Sequence, residues 1–144
     1  MMGTLLTYNL DNAIAELKSL SVDTPKKPEL PDGHLIHKYE EKIGFKFPDD
    51  YKRFLMEASD VCVGTLSPLI VTNDINAPGE LSLALAEGRE FGLPEDWLPI
   101  CEDNGDYYCI LADGKIRFWS HDGATDDRWP NLETWIKEVW IGNG

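Results

Sequence analysis

The sequence is short of the residues that would give it chemistry of its own or carry it to a phosphate backbone. Its 144 residues hold 3 cysteines, Cys62, Cys101 and Cys109, an odd number without Cys-x-x-Cys spacing. That argues against a disulfide framework and a cysteine zinc site, and points to a reducing, cytoplasmic home. No apolar run approaches the roughly 18 residues of a membrane span. The opening MMGTLLTYNLDNAIAEL lacks a basic stretch ahead of a long apolar one, so neither signal peptide nor membrane anchor is expected. Cations are scarce as well: 13 Lys and Arg stand against 26 Asp and Glu, a formal net charge of −13. Nucleic acid is therefore excluded as a partner, because binding it needs clustered Lys and Arg to displace counterions. There is no P-loop, no Gly-x-Gly-x-x-Gly, no Gly-x-Ser-x-Gly, no internal repeat and no low-complexity tract.

What the chain does have is acid, unevenly placed. Residues 1–60 carry 11 acids and 8 bases, net −3, while residues 61–144 carry 15 acids and 5 bases, net −10. Such a field speeds encounter with a basic partner. The length suits one domain, and a chain of this size buries roughly 68–70% of its unfolded surface, so it needs no metal or disulfide to hold it together.

Helical periodicity marks the N-terminal half. Leu10, Ile14, Leu17 and Leu20 place a first helix over 9–20, capped by Asn9 or Asp11. Residues 21–31, with three prolines and no apolar period, read as an extended connector. Asp32 caps a second helix carrying Leu35, Ile36, Tyr39 and Ile43, and Gly44 ends it. Pro48, Asp49 and Asp50 open a third, whose stripe Tyr51, Phe54, Leu55 and Ala58 must be buried. Short β-branched runs at 61–63 and 69–72 are consistent with strands. Residues 80–91 read as a helix on Leu81, Ala84, Leu85 and Phe91, with Gly88 inside it costing up to about 1 kcal/mol relative to Ala. Asp122 to Pro130 reads as a polar loop, and Asn131 caps a last helix with Leu132, Trp135, Ile136 and Val139 on one face.

Between them lies the stretch Trp97 to His121. Its runs Tyr107 to Leu111 and Ile116 to Trp119 flank Asp113-Gly114, a strong hairpin signal. With Asp113 and Gly114 as a two-residue loop, Leu111, Cys109 and Tyr107 face Ile116, Phe118 and Ser120 on one side. Ile110, Tyr108 and Asp106 then face Arg117, Trp119 and His121 on the other. The first face reads as core; the second is either roofed or shown to a partner. Helices first, strands grouped later and short turns between them predict an α+β domain, a central, largely antiparallel sheet with helices packed on one face.

Three pieces in order, the helix opener FPDDYKRFL, the segment LPICEDNGDYYCIL and the strand IRFWSHD leading to NLETWI, resemble the SMI1/KNR4 family of the SUKH superfamily. The resemblance spans residues 32–141, within a single domain over 1–144. Ser59-Asp60 stands where the family commonly has Asn-Gly, and Asn131-Leu132 where it has Ser-Phe. The resemblance implies a domain without chemistry of its own. Bacterial members of the family look like immunity proteins that neutralise a toxin, often a nuclease or deaminase, and eukaryotic relatives act as regulatory and scaffold modules. The matching positions, Pro48, Tyr51, Phe54, Leu55, Pro99, Gly105, Asp106 and the strand Tyr107 to Leu111, carry no catalytic set.

The residues themselves agree with binding over catalysis. Asp103-Asn104-Gly105-Asp106 lacks the alternate ligands of an EF-hand, and His34 and His37 are not in a His-Glu-x-x-His arrangement. No cofactor and no metal is expected. Asp106 and His121 could pair across the hairpin, either as part of a metal-dependent hydrolase or as a structural contact, and the latter is the better reading. The expected partner is a cognate toxin with a basic surface, bound by a monomer or weak homodimer. Carboxylates of Glu102, Asp103, Asp106, Asp122, Asp126 and Asp127 would meet that surface, with Tyr108, Trp119 and Trp129 as aromatic contacts. The alternative is a regulatory or scaffold module docking on a cellular protein.

Overall fold

The computed structural model describes residues 8–25, 27–74 and 76–142, with the backbone alone at Ala124. The periodic segments form where their spacing places them. Helix α1 spans Leu10–Leu20, with the Asn9 side chain accepting from the Asn12 N–H; α2 spans Gly33–Ile43, capped by Asp32 and closed by Gly44 at φ 77°. Helix α3 spans Asp49–Ala58 and buries Tyr51, Phe54, Leu55 and Ala58, the stripe predicted from its i, i+3, i+4, i+7 spacing. Pro48 sits at the N-cap, where its missing N–H costs nothing. The last helix begins at Asn131, runs as α5 over Leu132–Trp135 and widens into a π-helical segment over Ile136–Ile141.

Five antiparallel strands follow one another in spatial order: β1 Ser67–Pro68, β2 Leu98–Asp103, β3 Asp106–Ile110, β4 Ile116–Ser120 and β5 Gly123–Trp129. This is the α+β architecture expected, but three local expectations change. The 61–63 and 69–72 runs contribute only isolated bridges, Val63 to Leu66 and Ile70 to Glu80, on either side of the two-residue β1, whose Pro68 cannot donate to a ladder. The segment read as a polar loop after Asp122 is strand β5. Its acids belong to an edge, where charge discourages pairing with a second sheet.

The third change is the hairpin register. Tyr107 pairs with Trp119, Tyr108 with Phe118, Cys109 with Arg117 and Ile110 with Ile116. Gly114 N–H donates to the Leu111 carbonyl at 2.9 Å and Leu111 N–H to the Lys115 carbonyl at 2.9 Å, so the loop has three residues, Ala112 to Gly114. Only Gly114 (φ 89°) takes positive φ there, which suits a type I turn closed by a glycine bulge rather than the two-residue turn. One extra loop residue slips the register by one and exchanges the faces. The two-residue turn is at Asn104-Gly105 (φ 52° and 89°), between β2 and β3.

Both faces of the sheet are covered, where the sequence predicts helices on one face alone, because α4, Leu81–Glu90, packs on the face opposite the other helices. On the Tyr108 face a row of rings runs from the sheet into the helices: Tyr108 to Trp135 at 5.2 Å, Trp135 to Trp140 at 5.6 Å, Trp140 to Phe54 at 5.8 Å and Tyr51 to Phe47 at 5.5 Å. On the other face, Tyr107 and Trp119 stack at 6.1 Å beneath α4. Helix α4 is fixed at its start by Glu80, which is 1% exposed. Its carboxylate accepts from the Ser82 and Leu83 amides at 2.8 and 3.1 Å and from the Tyr39 hydroxyl of α2 at 2.6 Å. Burial, followed by that carboxylate, pushes the Tyr39 hydroxyl up to about 12.

Glu80→Ala orphans two helix amides and leaves the Tyr39 hydroxyl with the Thr72 backbone alone, and should lower stability by about 2–3 kcal/mol in urea unfolding. Gly88→Ala, which helix propensity alone would favour, should instead destabilise by about 1 kcal/mol. A Cβ there would lie 3.0 Å from Cδ2 and 3.4 Å from Cβ of Leu93, itself in the core. A higher melting temperature for that variant would contradict the packing argument.

Candidate functional site

The antiparallel order brings two turns to one end of the sheet. The β2–β3 turn carries Asp103 and Asp106, and the β4–β5 turn, closed by the Ser120 to Gly123 pair, carries His121 and Asp122. The sequence-level contact between Asp106 and His121 is present: Asp106 Oδ1 accepts from His121 N–H at 3.1 Å and lies 3.2 Å from Nδ1. Helix α4 adds a carboxylate that the sequence does not disclose, with Glu87 Oε1 3.2 Å from His121 Nε2 and its other oxygen accepting from the Tyr107 hydroxyl. Phe91 and Trp119 flank the imidazole, each with its ring centroid at 4.9 Å.

Acids on opposite ring nitrogens suit an imidazolium. Asp106 first and Glu87 second hold the His121 pKa above its usual 6.5. The same geometry rules this trio out as a metal centre, because two carboxylates on opposite sides of a ring cannot converge with it on one ion. No group of three or more His, Cys, Asp or Glu among the described residues is disposed to hold a metal. His121 is a clamp between α4 and the sheet end.

The other sequence-selected residues divide by exposure. Glu102, Asp122, Asp126 and Asp127 are exposed and Asp103 is half-buried. Among the described residues only Asp106 of the six acids enters an ion pair. Asp127 Oδ2 lies 3.3 Å from the Thr125 hydroxyl. Arg117 donates to the Thr125 and Asp127 carbonyls at 2.8 and 3.2 Å, satisfying the backbone where β5 bulges away from β4. Tyr108 is half-buried, in contact with Phe118 at 4.8 Å and Trp129 at 5.7 Å. Burial first, then the Asp103, Cys101 and Asp127 charges, pushes its hydroxyl up to about 12.

Trp119 is a correction. Expected as an aromatic contact for a partner, it is 1% exposed, because the one-residue slip turns it onto Tyr107 beneath α4. Phe91 changes in the opposite sense: placed in a buried helix stripe by its spacing, it is 57% exposed, since α4 ends at Glu90 before the stripe is complete. Leu83 is 56% exposed on α4, whereas Glu87, four residues on, is half-buried against Tyr107 and His121.

Cys101 and Cys109 are buried, and burial pushes both thiols up, away from the reactive thiolate. No helix of the described residues is long and apolar enough to cross a membrane.

The clamp makes a pH-dependent contribution whose sign is fixed. A histidine pKa raised on folding adds stability that is fully present below 6.5, the unfolded value, and is lost as pH climbs through the raised folded value. Against His121→Gln, the wild-type advantage in melting temperature should be largest near pH 6 and should shrink as the imidazole deprotonates. An advantage that is constant from pH 6 to pH 9 would mean that His121 packs as a neutral ring.

Comparison with known proteins places this geometry. No curated protein matches the sequence. Four solved chains do, among them the crystal structure of a protein from Pseudomonas syringae pv. tomato. That structure superposes with a TM-score of 0.85 at 32% identity, over 92% of this chain and 98% of that one. The family model SUKH_5, described as SMI1-KNR4 cell-wall, matches residues 10–141, from the first residue of α1 to the last of the π-helical segment. The fold, the order of its motifs and this match agree, and the chain belongs to the SMI1-KNR4 family of the SUKH superfamily.

Proposed function

We propose that this domain is a non-enzymatic immunity protein, which neutralises a cognate bacterial toxin of the nuclease or deaminase class by covering its basic, substrate-binding surface. The observation that carries this reading is the set of carboxylates at the end of β2 (Glu102, Asp103), on the β4–β5 turn (Asp122) and midway along edge strand β5 (Asp126, Asp127), none of which forms an ion pair with a Lys or Arg among the described residues. Such acids mimic the phosphates that a nuclease surface attracts. They raise the association rate more than the final affinity. Tyr108 and Trp129, half-buried and in mutual contact, supply the rigid apolar area on which affinity depends. Asp106 contributes indirectly, by holding the β4–β5 turn through His121. The domain works in the cytoplasm, where the toxin's substrate lies.

Family membership supports protein binding as the mode of action, and the acidity gives the partner its sign. The test is co-expression and pull-down with the product of the adjacent upstream gene. Binding together with protection from its toxicity is expected; neither binding nor protection would sink the immunity reading and favour a regulatory module that docks on a cellular protein. Changing Asp103, Asp122, Asp126 and Asp127 to Asn should slow association roughly tenfold at low salt while leaving the melting temperature nearly unchanged. An unchanged on-rate would remove steering from the mechanism.

A further inference from the structure

The sheet has two outer edges, and one of them is closed. Strand β1 is 2 residues long, Pro68 leaves it without one amide to donate, and the bridges Val63 to Leu66 and Ile70 to Glu80 engage the chain on either side of it. The other edge has none of these protections. Strand β5 is last in the spatial order and runs for 7 residues from Gly123 to Trp129, with Asp126, Asp127 and Arg128 exposed.

The backbone groups that β5 turns outward follow from those it turns inward. The Thr125 and Asp127 carbonyls face β4, where the Arg117 guanidinium donates to both. Asp127 N–H donates to the Thr125 hydroxyl at 3.3 Å, and that hydroxyl donates to the Phe118 carbonyl of β4 at 2.9 Å. Beyond the bulge the ladder resumes, with Arg128 opposite Arg117 and Trp129 opposite Ile116. Successive residues of an extended strand direct their N–H and C=O to opposite sides, so with Thr125 and Asp127 turned in, those of Asp126 and Arg128 point away from the sheet. They form a short row of donors and acceptors that one more strand would complete.

Charge selects what can lie against this row. Asp122, Asp126 and Asp127 stand on the strand and its turn against Arg128 alone, and none of the four forms an ion pair among the described residues. A second copy of the chain fits poorly. The antiparallel register that sets Asp126 opposite Arg128 brings two Asp127 residues together at a non-hydrogen-bonded site, about 4.5 Å apart at Cα, and a register centred on Asp126 opposes that residue to itself. A strand carrying Lys or Arg meets opposite charge instead. We infer that the outer edge of β5 is a pairing edge for a basic β-strand of a partner protein, whose main chain bonds the Asp126 and Arg128 backbone and whose cations lie beside Asp126 and Asp127. The assignment rests on the protein-binding reading above and deepens it: main-chain hydrogen bonds add affinity that depends on no one side chain, and the carboxylates choose among strands.

The test follows the full chain by NMR while three capped hexapeptides are titrated in: one alternating lysine and valine, the same peptide with every backbone amide methylated, and one alternating glutamate and valine. The lysine peptide should shift the amides of β5 saturably and slow hydrogen exchange at Asp126 and Arg128 about threefold or more. The methylated peptide keeps the charge and loses the donors, so it should bind at least about fivefold more weakly, and the glutamate peptide should not bind. Arg128→Pro removes an outward amide from the protein, whereas Arg128→Ala removes only the charge; the proline variant should bind the lysine peptide about fivefold more weakly than the alanine variant. Equal binding by the methylated peptide, or shifts that avoid β5, would overturn the assignment. So would protection of Asp126 and Arg128 that grows with protein concentration before any peptide is added, which identifies a second copy as the occupant. The outcome is separable from the immunity reading. Peptide pairing at β5 with no capture of the adjacent gene product leaves the edge standing and the toxin wrong. Capture that the proline and alanine variants support equally removes the edge and leaves immunity intact.

Discussion

The structure depends on the row of rings that joins the sheet to its helical layer. Tyr108 touches Trp135, Trp135 touches Trp140, Trp140 touches Phe54 of α3, and Phe54 stacks on Tyr51 at 6.3 Å. Each contact is worth only about 0.5–1.5 kcal/mol beyond the area it buries. Their joint effect is geometric. They fix the distance between α3, the C-terminal helix and β3 with rigid bodies that cannot fold back on themselves as leucines can. Trp140 also donates its indole N–H to the Val63 carbonyl at 2.9 Å, which ties the loop after α3 to the end of the chain.

A sheet held in this way on one face can carry its polar apparatus elsewhere. The opposite face is covered by α4, whose attachment is electrostatic at both ends: the buried Glu80 at its start and the Glu87–His121–Asp106 relay near its finish. Between these points α4 leaves Leu83 exposed. The recognition proposed above shares one ring with that row, because Tyr108 is its sheet-side end and also meets Trp129 at 5.7 Å.

Much of this was legible in the sequence, for identifiable reasons. Helices announce themselves through spacing and caps, so the Asp32 and Asn131 caps and the Tyr51–Ala58 stripe were predicted in place, and the structure chooses Asn9 over Asp11 as the cap of α1. The hairpin register was not, because Asp-Gly serves equally in a two-residue turn and as the end of a three-residue bulged loop, and only the tertiary fit chooses between them. That single residue decided the burial of Trp119. Strand β5 was hidden because an edge strand uses the same polar residues as a loop. The contact between Glu87 and His121 spans 34 residues, and no periodicity encodes it.

The bulged outer strand has a further consequence for how such a surface can change over time. Arg117 and Thr125 satisfy the backbone groups left open where β5 bulges away from β4, so the irregular segment is held by side chains and leaves no gap in the sheet's hydrogen bonding there. Asp122, Asp126 and Asp127 are exposed there, so substitutions at these positions change the surface charge without disturbing how the domain is built. A lineage that must track a rapidly diverging adversary gains from that independence, because its contact residues can be exchanged one at a time without passing through an unfolded intermediate form.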